Sequence, residues 1–280
     1  MTAFPDGPVV QLPQGDVTEG VVRIGDTVRR PHQPSSEFVA AFLEQLGSAG
    51  FDGAPRYLGR DRQGRDVLTF LDGEVPGDPV PPWAAADGVL PSVGALVRRL
   101  HDAAEGWVPP VPVPQVPERP SAPLPAAAAQ LISHRDVTPQ NVVFRDGAAW
   151  GLVDFDLAGV TTRSIDLANT AMHWVPLVDP ADRNSVYDGS DVASRIALLL
   201  NGYRAAGSNS ADDVSVQAFL DACTLRFAGL YRTMRWNAEN LGGGWARMWA
   251  EGVGDVIRRR EQWFSSTHAD LLARLRAKTG

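Results

Sequence analysis

Residues 131–156, LISHRDVTPQNVVFRDGAAWGLVDFD, decide the reading of this chain. Three short apolar runs, Leu131-Ile132, Val142 to Phe144 and Gly151 to Val153, read as short strands. Arg145-Asp146-Gly147 separates the last two as a hairpin turn, with Asp146 as a turn residue. Asp136 follows the first run, Asn141 precedes the second and Asp154 ends the third. Side chains at neighbouring strand ends can converge on one point. An Asn oxygen and an Asp carboxylate are hard ligands suited to Mg²⁺, which keeps waters and shares phosphate oxygens. A further Asp that is not a ligand can align a hydroxyl and take its proton. Taken singly, His134 reads as a structural histidine, and Asp136 and Asn141 as turn residues around Thr138-Pro139. Their joint spacing is what points to chemistry.

Outward from this stretch, the N-terminal seventy residues read as strand-rich with one helix. A short strand covers about Val9 to Leu12, and Gly25-Asp26 joins Val21–Ile24 to Thr27–Arg30 as a hairpin. Pro34-Ser35 opens a helix with Phe38, Phe42 and Leu46 on one face, closed by Gly47 and Gly50. Val67 to Phe70 is a further strand, left through Leu71-Asp72-Gly73. The remainder reads as mainly helical. Pro91 starts a helix with Val93, Leu96, Val97 and Leu100 as its stripe, followed by His101 as a packing or inter-lobe residue. Residues 109–125 hold eight prolines and read as an extended surface segment. Long helices are expected from about Asp191, from about Asp212 and from about Trp245 onward.

The set His134-Arg135-Asp136 with Asn141, then Asp154-Phe155-Asp156, resembles the protein-kinase-like superfamily, and within it the aminoglycoside phosphotransferase or small-molecule kinase family. Ser164-Ile165-Asp166-Leu167-Ala168 resembles a later element of the same family. The resemblance implies an α+β, two-lobed protein-kinase-like fold. Residues 1–73 would form a small antiparallel-sheet lobe with one helix that binds nucleotide, and 74–280 a larger, mainly helical lobe for catalysis and the acceptor. It implies that Asp136 orients the nucleophile and takes its proton, and that Asn141 and Asp154 ligate Mg²⁺ on the phosphates of ATP or GTP. His134 would brace the loop, Asp166 would anchor local backbone, and Asp156 would support the metal site. Thr69, Phe70 and Leu71 would offer backbone hydrogen bonds to the adenine, and residues 14–20 would either cover the phosphates or form a plain hairpin turn. The superfamily's strand lysine is missing, because the chain has one lysine, Lys278. Arg29 stands at the matching position as the phosphate-gripping residue, with Arg30 as the next candidate, although Arg30 reads rather as a solvated strand residue. The paired helix Glu is replaced by Val39, and Glu37 and Glu44 face solvent.

Composition bounds the rest. The 280 residues suffice for one large domain or two modest ones. A net charge of −7 argues against a nucleic-acid partner, and one Cys, Cys223, excludes a disulfide framework. No membrane-spanning run or signal peptide is visible, so a soluble, cytoplasmic protein is expected. From Asp179 onward, 12 acidic residues stand against 13 basic ones. Without an acidic excess, a neutral or weakly charged hydroxylated acceptor is expected, such as a nucleoside, sugar or macrolide-type compound. The Arg-, Ala- and Pro-rich composition suggests a GC-rich genome and, by association, antibiotic resistance. The rival readings are a metabolic kinase for an amino alcohol, homoserine-like compound or sugar, and a non-catalytic nucleotide-binding regulator.

Overall fold

The structure is a computed structural model that describes residues 4, 7–12, 20–114, 120, 124, 128–209 and 214–279. Five strands form an antiparallel sheet in the order β1-β2-β3-β5-β4, with β1 at Val9–Gln11, β2 at Val22–Ile24, β3 at Thr27–Arg30, β4 at Tyr57–Arg60 and β5 at Asp66–Thr69. Gly25, at φ +57°, makes the β2–β3 turn that a side chain would strain. β3 pairs with β5 so that Arg30 lies opposite Asp66 and Thr27 opposite Thr69. Helix α1, Ser36–Ser48, buries Phe38, Phe42 and Leu46 as its spacing predicts, and leaves Glu37 and Glu44 exposed. The glycine-bearing 14–20 segment lies outside the described residues except for Gly20.

The rest is built on helices α2 (Pro82–Ala85), α3 (Leu90–Ala104), α4 (Arg163–Trp174), α5 (Val192–Ala205), α6 (Val216–Asn240), α7 (Gly243–Ala250) and α8 (Val253–Thr279). Two small antiparallel ladders sit among them. One joins β6 (Gln130–Ser133) to β9 (Gly159–Thr162), and the other is the hairpin β7 (Val142–Arg145) to β8 (Ala148–Leu152). Asp146 and Gly147, at φ +51° and +76°, form the expected tight turn of that hairpin. α3 and α5 cross closely because Gly94 and Gly202 face the other helix. A Cβ at either would lie 2.1 Å from a backbone oxygen, of Leu199 and Pro91 respectively.

The sheet region and the helical region share one hydrophobic core, running from Phe38 and Phe42 of α1 through Phe155 to α3, α5 and α6. Two backbone crossings also join them. Leu152 N–H donates to Gly53 O at 2.7 Å, and Glu74 exchanges two hydrogen bonds with Phe144. The sequence reading needs four changes. Strands β4 and β9 and helices α2 and α4 were not expected. The strand ending at Phe70 ends at Thr69, where β3 also runs out. The helix expected from Trp245 onward is two helices, broken at Gly252 with φ +93°. The long helix expected from Asp212 begins at Val216, capped by Ser215 Oγ on the Ala218 amide. The described parts of 109–125 are neither helix nor strand, and Pro120 O accepts from Thr233 Oγ1 on α6. No helix among the described residues is long and apolar enough to cross a membrane.

Candidate active site

Strand β6 ends at Ser133 and the chain turns through Arg135 at φ +65°, a backbone state unfavourable for a side-chain-bearing residue. Neighbours hold it there. Asn169 Nδ2 on α4 donates to Arg135 O at 2.5 Å, and Gly159 leaves room for the Arg135 side chain, which a Cβ would meet at 2.6 Å. His134, fully buried, uses both ring nitrogens on backbone: Nε2 donates to Val153 O at 2.9 Å, and Nδ1 accepts the Asp136 amide at 3.3 Å. Its ring packs against Phe155 with centroids 4.5 Å apart. His134 thereby ties the loop after β6 to the segment after β8.

Asn141 Nδ2 donates to the Asp136 carbonyl at 3.0 Å and to its Oδ2 at 2.9 Å, which leaves Asn141 Oδ1 and Asp136 Oδ1 to face outward partners. Asp154 sits at φ +60°, the second such residue in the site. Asp156 follows one turn later. Burial pushes the Asp136 carboxyl up from the ordinary carboxylate range, and the Asp154 charge adds to the rise. Desolvation, then the Asp156 charge, raise Asp154 as well. Three carboxylates crowd one place with Arg30 as the cation that pairs with two of them. An all-oxygen set of Asn141, Asp154 and Asp156 with surplus negative charge fits a hard divalent cation. Among the described residues no three His, Cys, Asp or Glu side chains form a complete metal cage.

Arg30, not Arg29, reaches this group. Arg30 Nη1 lies 3.8 Å from Asp154 Oδ1, and Nη2 bonds Asp156 Oδ2. Arg29 is 2% exposed and lies on the opposite face, where it pairs with Asp61 at 3.7 Å and bonds Thr27 Oγ1. Successive strand side chains point to opposite faces, so only one of the two can face the site. Arg30, read as solvated, is therefore the one that faces the carboxylates, and Arg29 faces away from them. Val39 is packed in the core, so α1 offers Arg30 no carboxylate; Asp156 takes that part.

The three residues expected to offer backbone to the adenine differ in what the lobe already uses. Thr69 N–H donates to Arg56 O and Phe70 N–H to Asp26 O, so the lobe itself uses both amides, and the Phe70 ring lies under Arg23 at 3.6 Å. Leu71, past the strand end, remains for such a contact. Asp166 anchors side chains where backbone was expected. Its Oδ2 accepts from Ser133 Oγ at 2.7 Å and from His101 Nε2 at 3.0 Å. Burial alone would raise the Asp166 carboxyl, but His101 and Ser133 hold it below the ordinary range. His101 Nδ1 accepts in turn from Tyr203 Oη at 3.0 Å, and Tyr203 Oη accepts from Arg163 at 3.1 Å. Burial pushes the Tyr203 phenol up to about 12, so it stays a donor. This buried chain behind β6 escaped the sequence reading because its members lie 33 to 102 residues apart. Two open depressions, of about 440 and 860 Å³, lie elsewhere, along 72–74 with the 144–147 turn and between α1 and β4.

Residues 110–199 match the phosphotransferase enzyme family. The trifolitoxin immunity protein of Rhizobium leguminosarum bv. trifolii is 34% identical over 189 residues, which cover 65% of this chain and 69% of that protein. Among solved structures, a choline/ethanolamine kinase family protein from Mesorhizobium loti superimposes with a TM-score of 0.57 at 19% identity, covering 97% of this chain and 93% of that one. An amicoumacin kinase in complex with AMP-PNP, Ca²⁺ and Ami also gives 0.57, at 13% identity, covering 95% of this chain and 91% of that one. At these identities the superpositions speak for the fold: the kinase-like two-region architecture is shared.

Proposed function

Since this chain belongs to the phosphotransferase enzyme family and is a small-molecule kinase, we propose that it moves the γ-phosphoryl of ATP or GTP to a hydroxyl of an antibiotic or toxin. The observation that carries this is the Asp136 carboxylate fixed by Asn141 beside Asp154 and Asp156. In this reading residues 1–73 hold the nucleotide, and 74–280 carry the acceptor and the catalytic groups. Asp136 Oδ1 accepts the acceptor hydroxyl, turns its lone pair toward phosphorus and takes the proton as the new oxygen–phosphorus bond forms and the bond from the γ-phosphorus to the β-phosphate oxygen breaks, releasing the nucleoside diphosphate. A carboxyl with a raised pKa is the better base for that transfer. Asn141 Nδ2 keeps Asp136 from rotating, and His134 keeps the loop in register with the 154–156 segment.

Asn141 Oδ1 and Asp154 would hold Mg²⁺, with Asp156 supporting; the ion would neutralise charge developing on the transferred phosphoryl. Arg30 would release Asp154 and Asp156 to the metal and turn its guanidinium to the phosphates, where a planar fork can bind two oxygens. Leu71 would offer backbone to the base. The immunity relative supports a protective role, and hence a toxic acceptor. The choline/ethanolamine kinase neighbour keeps a metabolic amino alcohol as the second reading.

The test is nucleotide turnover with Mg²⁺ against hydroxylated antibiotics, peptide toxins and amino alcohols, with the phosphorylated product read by mass. Asp136→Asn should lower kcat by roughly 10²–10⁴-fold and leave Mg²⁺-nucleotide affinity within about threefold. Near-normal turnover in that variant would overturn the role of Asp136. Product from amino alcohols alone would move the acceptor to the second reading.

A further inference from the structure

One helix holds the backbone on both sides of Asp136. Asn169 Nδ2, on α4, donates to the carbonyl of Arg135, and Trp174 Nε1, on the same helix, donates to the carbonyl of Val137 at 2.7 Å. The carbonyl between them, that of Asp136 itself, accepts from the Thr138 amide at 2.8 Å and from Asn141 Nδ2 at 3.0 Å. Three consecutive carbonyls are thus fixed, the outer two by α4. Asn169 is 7% exposed and Trp174 is fully buried, so water competes little for either bond.

Each donor is itself set by a buried or half-buried arginine from the next layer of helices. A side-chain amide can present either end. Arg226 Nε on α6 donates to Asn169 Oδ1 at 3.0 Å, and a guanidinium only donates, so the oxygen is committed to Arg226 and the amino group to the loop. Arg195 of α5 donates through Nη2 to the Trp174 carbonyl at 2.8 Å, which fixes the end of α4 from which the indole reaches out. The loop needs such a hold. Arg135 sits at φ +65°, a state that a side-chain-bearing residue leaves unless its surroundings prevent it.

We propose that Asn169 and Trp174 are positioning residues, which pin the peptide before and after Asp136 and so place its carboxylate against the acceptor hydroxyl. Their effect on turnover rests on the phosphotransferase reading; their hold on the loop does not. Moving a reacting group by about 1 Å can cost on the order of 10²-fold in rate, so two bonds remote from the chemistry carry weight in it.

Two variants of the full chain test this. Asn169→Asp keeps the side chain's shape and turns its contact with Arg226 into an ion pair, but sets an oxygen against the Arg135 carbonyl. Trp174→Phe adds no charge and removes the N–H; if it is destabilised, Asn169→Asp decides. The loop is followed through the imidazole resonance of His134, whose Nδ1 accepts the Asp136 amide. With five histidines in the chain, that resonance is assigned by replacing them one at a time. The expected result is a moved His134 resonance, a kcat about 10- to 100-fold lower and a nucleotide KM within about threefold, with Asn169→Asp unfolding at or above the native urea midpoint. An unmoved resonance or a native kcat overturns the proposal. So does a loss of activity that tracks a fallen midpoint in Asn169→Asp, because weakening of α4 alone gives that. Mg²⁺·AMP-PNP added to the native protein separates the two readings. If it leaves the spectrum unchanged, the phosphotransferase reading falls, while a moved His134 resonance in the variants still upholds the hold on the loop. If the nucleotide is bound and the variants leave His134 unmoved, the positioning role alone is removed.

Discussion

Arg30 sets the terms at the residue scale. An ammonium would put one compact charge on the phosphates, whereas its guanidinium already spans Asp154 and Asp156 with two different nitrogens. Arg30→Met should raise the nucleotide KM about 10- to 100-fold, the loss of a charge-assisted hydrogen bond of roughly 1.5–3 kcal/mol. Arg29→Met should leave that KM within about threefold and lower unfolding stability by about 1–3 kcal/mol, because it strips a fully buried cation from Asp61. Steady-state kinetics and urea unfolding of the two variants separate these effects, and equal kinetic damage from both would refute the strand phase. Sequence spacing revealed His134, Asp136, Asn141 and Asp154 because they lie within 21 residues and two short hairpin-like segments impose their geometry. It could not choose between Arg29 and Arg30. That choice depends on which face of β3 the core covers, and the covering residues come from other elements.

Among the elements, α3 and α5 show how backbone approach can stabilise a crossing that apolar spacing alone does not reveal. The stripe Val93, Leu96, Val97 and Leu100 is visible in sequence, and all four are buried. The pairing with α5 depends on Gly94 and Gly202, where the partner backbone occupies the place of a side chain. Gly94→Ala should cost about 1–3 kcal/mol by overpacking, although alanine is the better helix former. Gly88→Ala, with nothing within 4 Å, is the control and should be near neutral. Thermal or urea unfolding measures both, and a silent Gly94→Ala would mean that the helices can separate without loss. Strands β4 and β9 escaped the sequence reading for a related reason. Each is four residues long, contains a glycine and takes its identity from a distant partner.

Across the whole molecule, buried titratable groups set the response to acid. His173 has an ordinary value of 6.5 and is held at about 3, so in the folded protein it stays neutral while the unfolded chain takes up a proton. The stability this contributes is complete above pH 6.5 and is lost as pH falls toward 3, with a slope approaching about 1.4 kcal/mol per pH unit. Asp166, held below 3.8, contributes stability above that value, which is lost at still lower pH. Urea midpoints between pH 7.5 and 4.5, in buffers without phosphate or carboxylate, should fall steeply for the native chain and less so for His173→Gln. An unchanged slope in the variant would place the acid sensitivity elsewhere. The kinase-like architecture was legible from the order of elements and the 131–168 motifs. The single core linking α1 to Phe155 and the C-terminal helices was not, since core continuity is a property of packing between distant segments.

With no lysine in any strand, the chain has one side-chain amine, Lys278, exposed in the last turn of α8. A guanidinium stays protonated at neutral pH and is a poor nucleophile, so nucleotide-tethered acylating reagents that tag kinases through their lysine would pass through this cleft and leave no mark. The same arithmetic limits conjugation through side-chain amines to one position. A dye or surface linker attached through Lys278 would sit at the far end of a long helix and leave the cleft's own side chains chemically untouched.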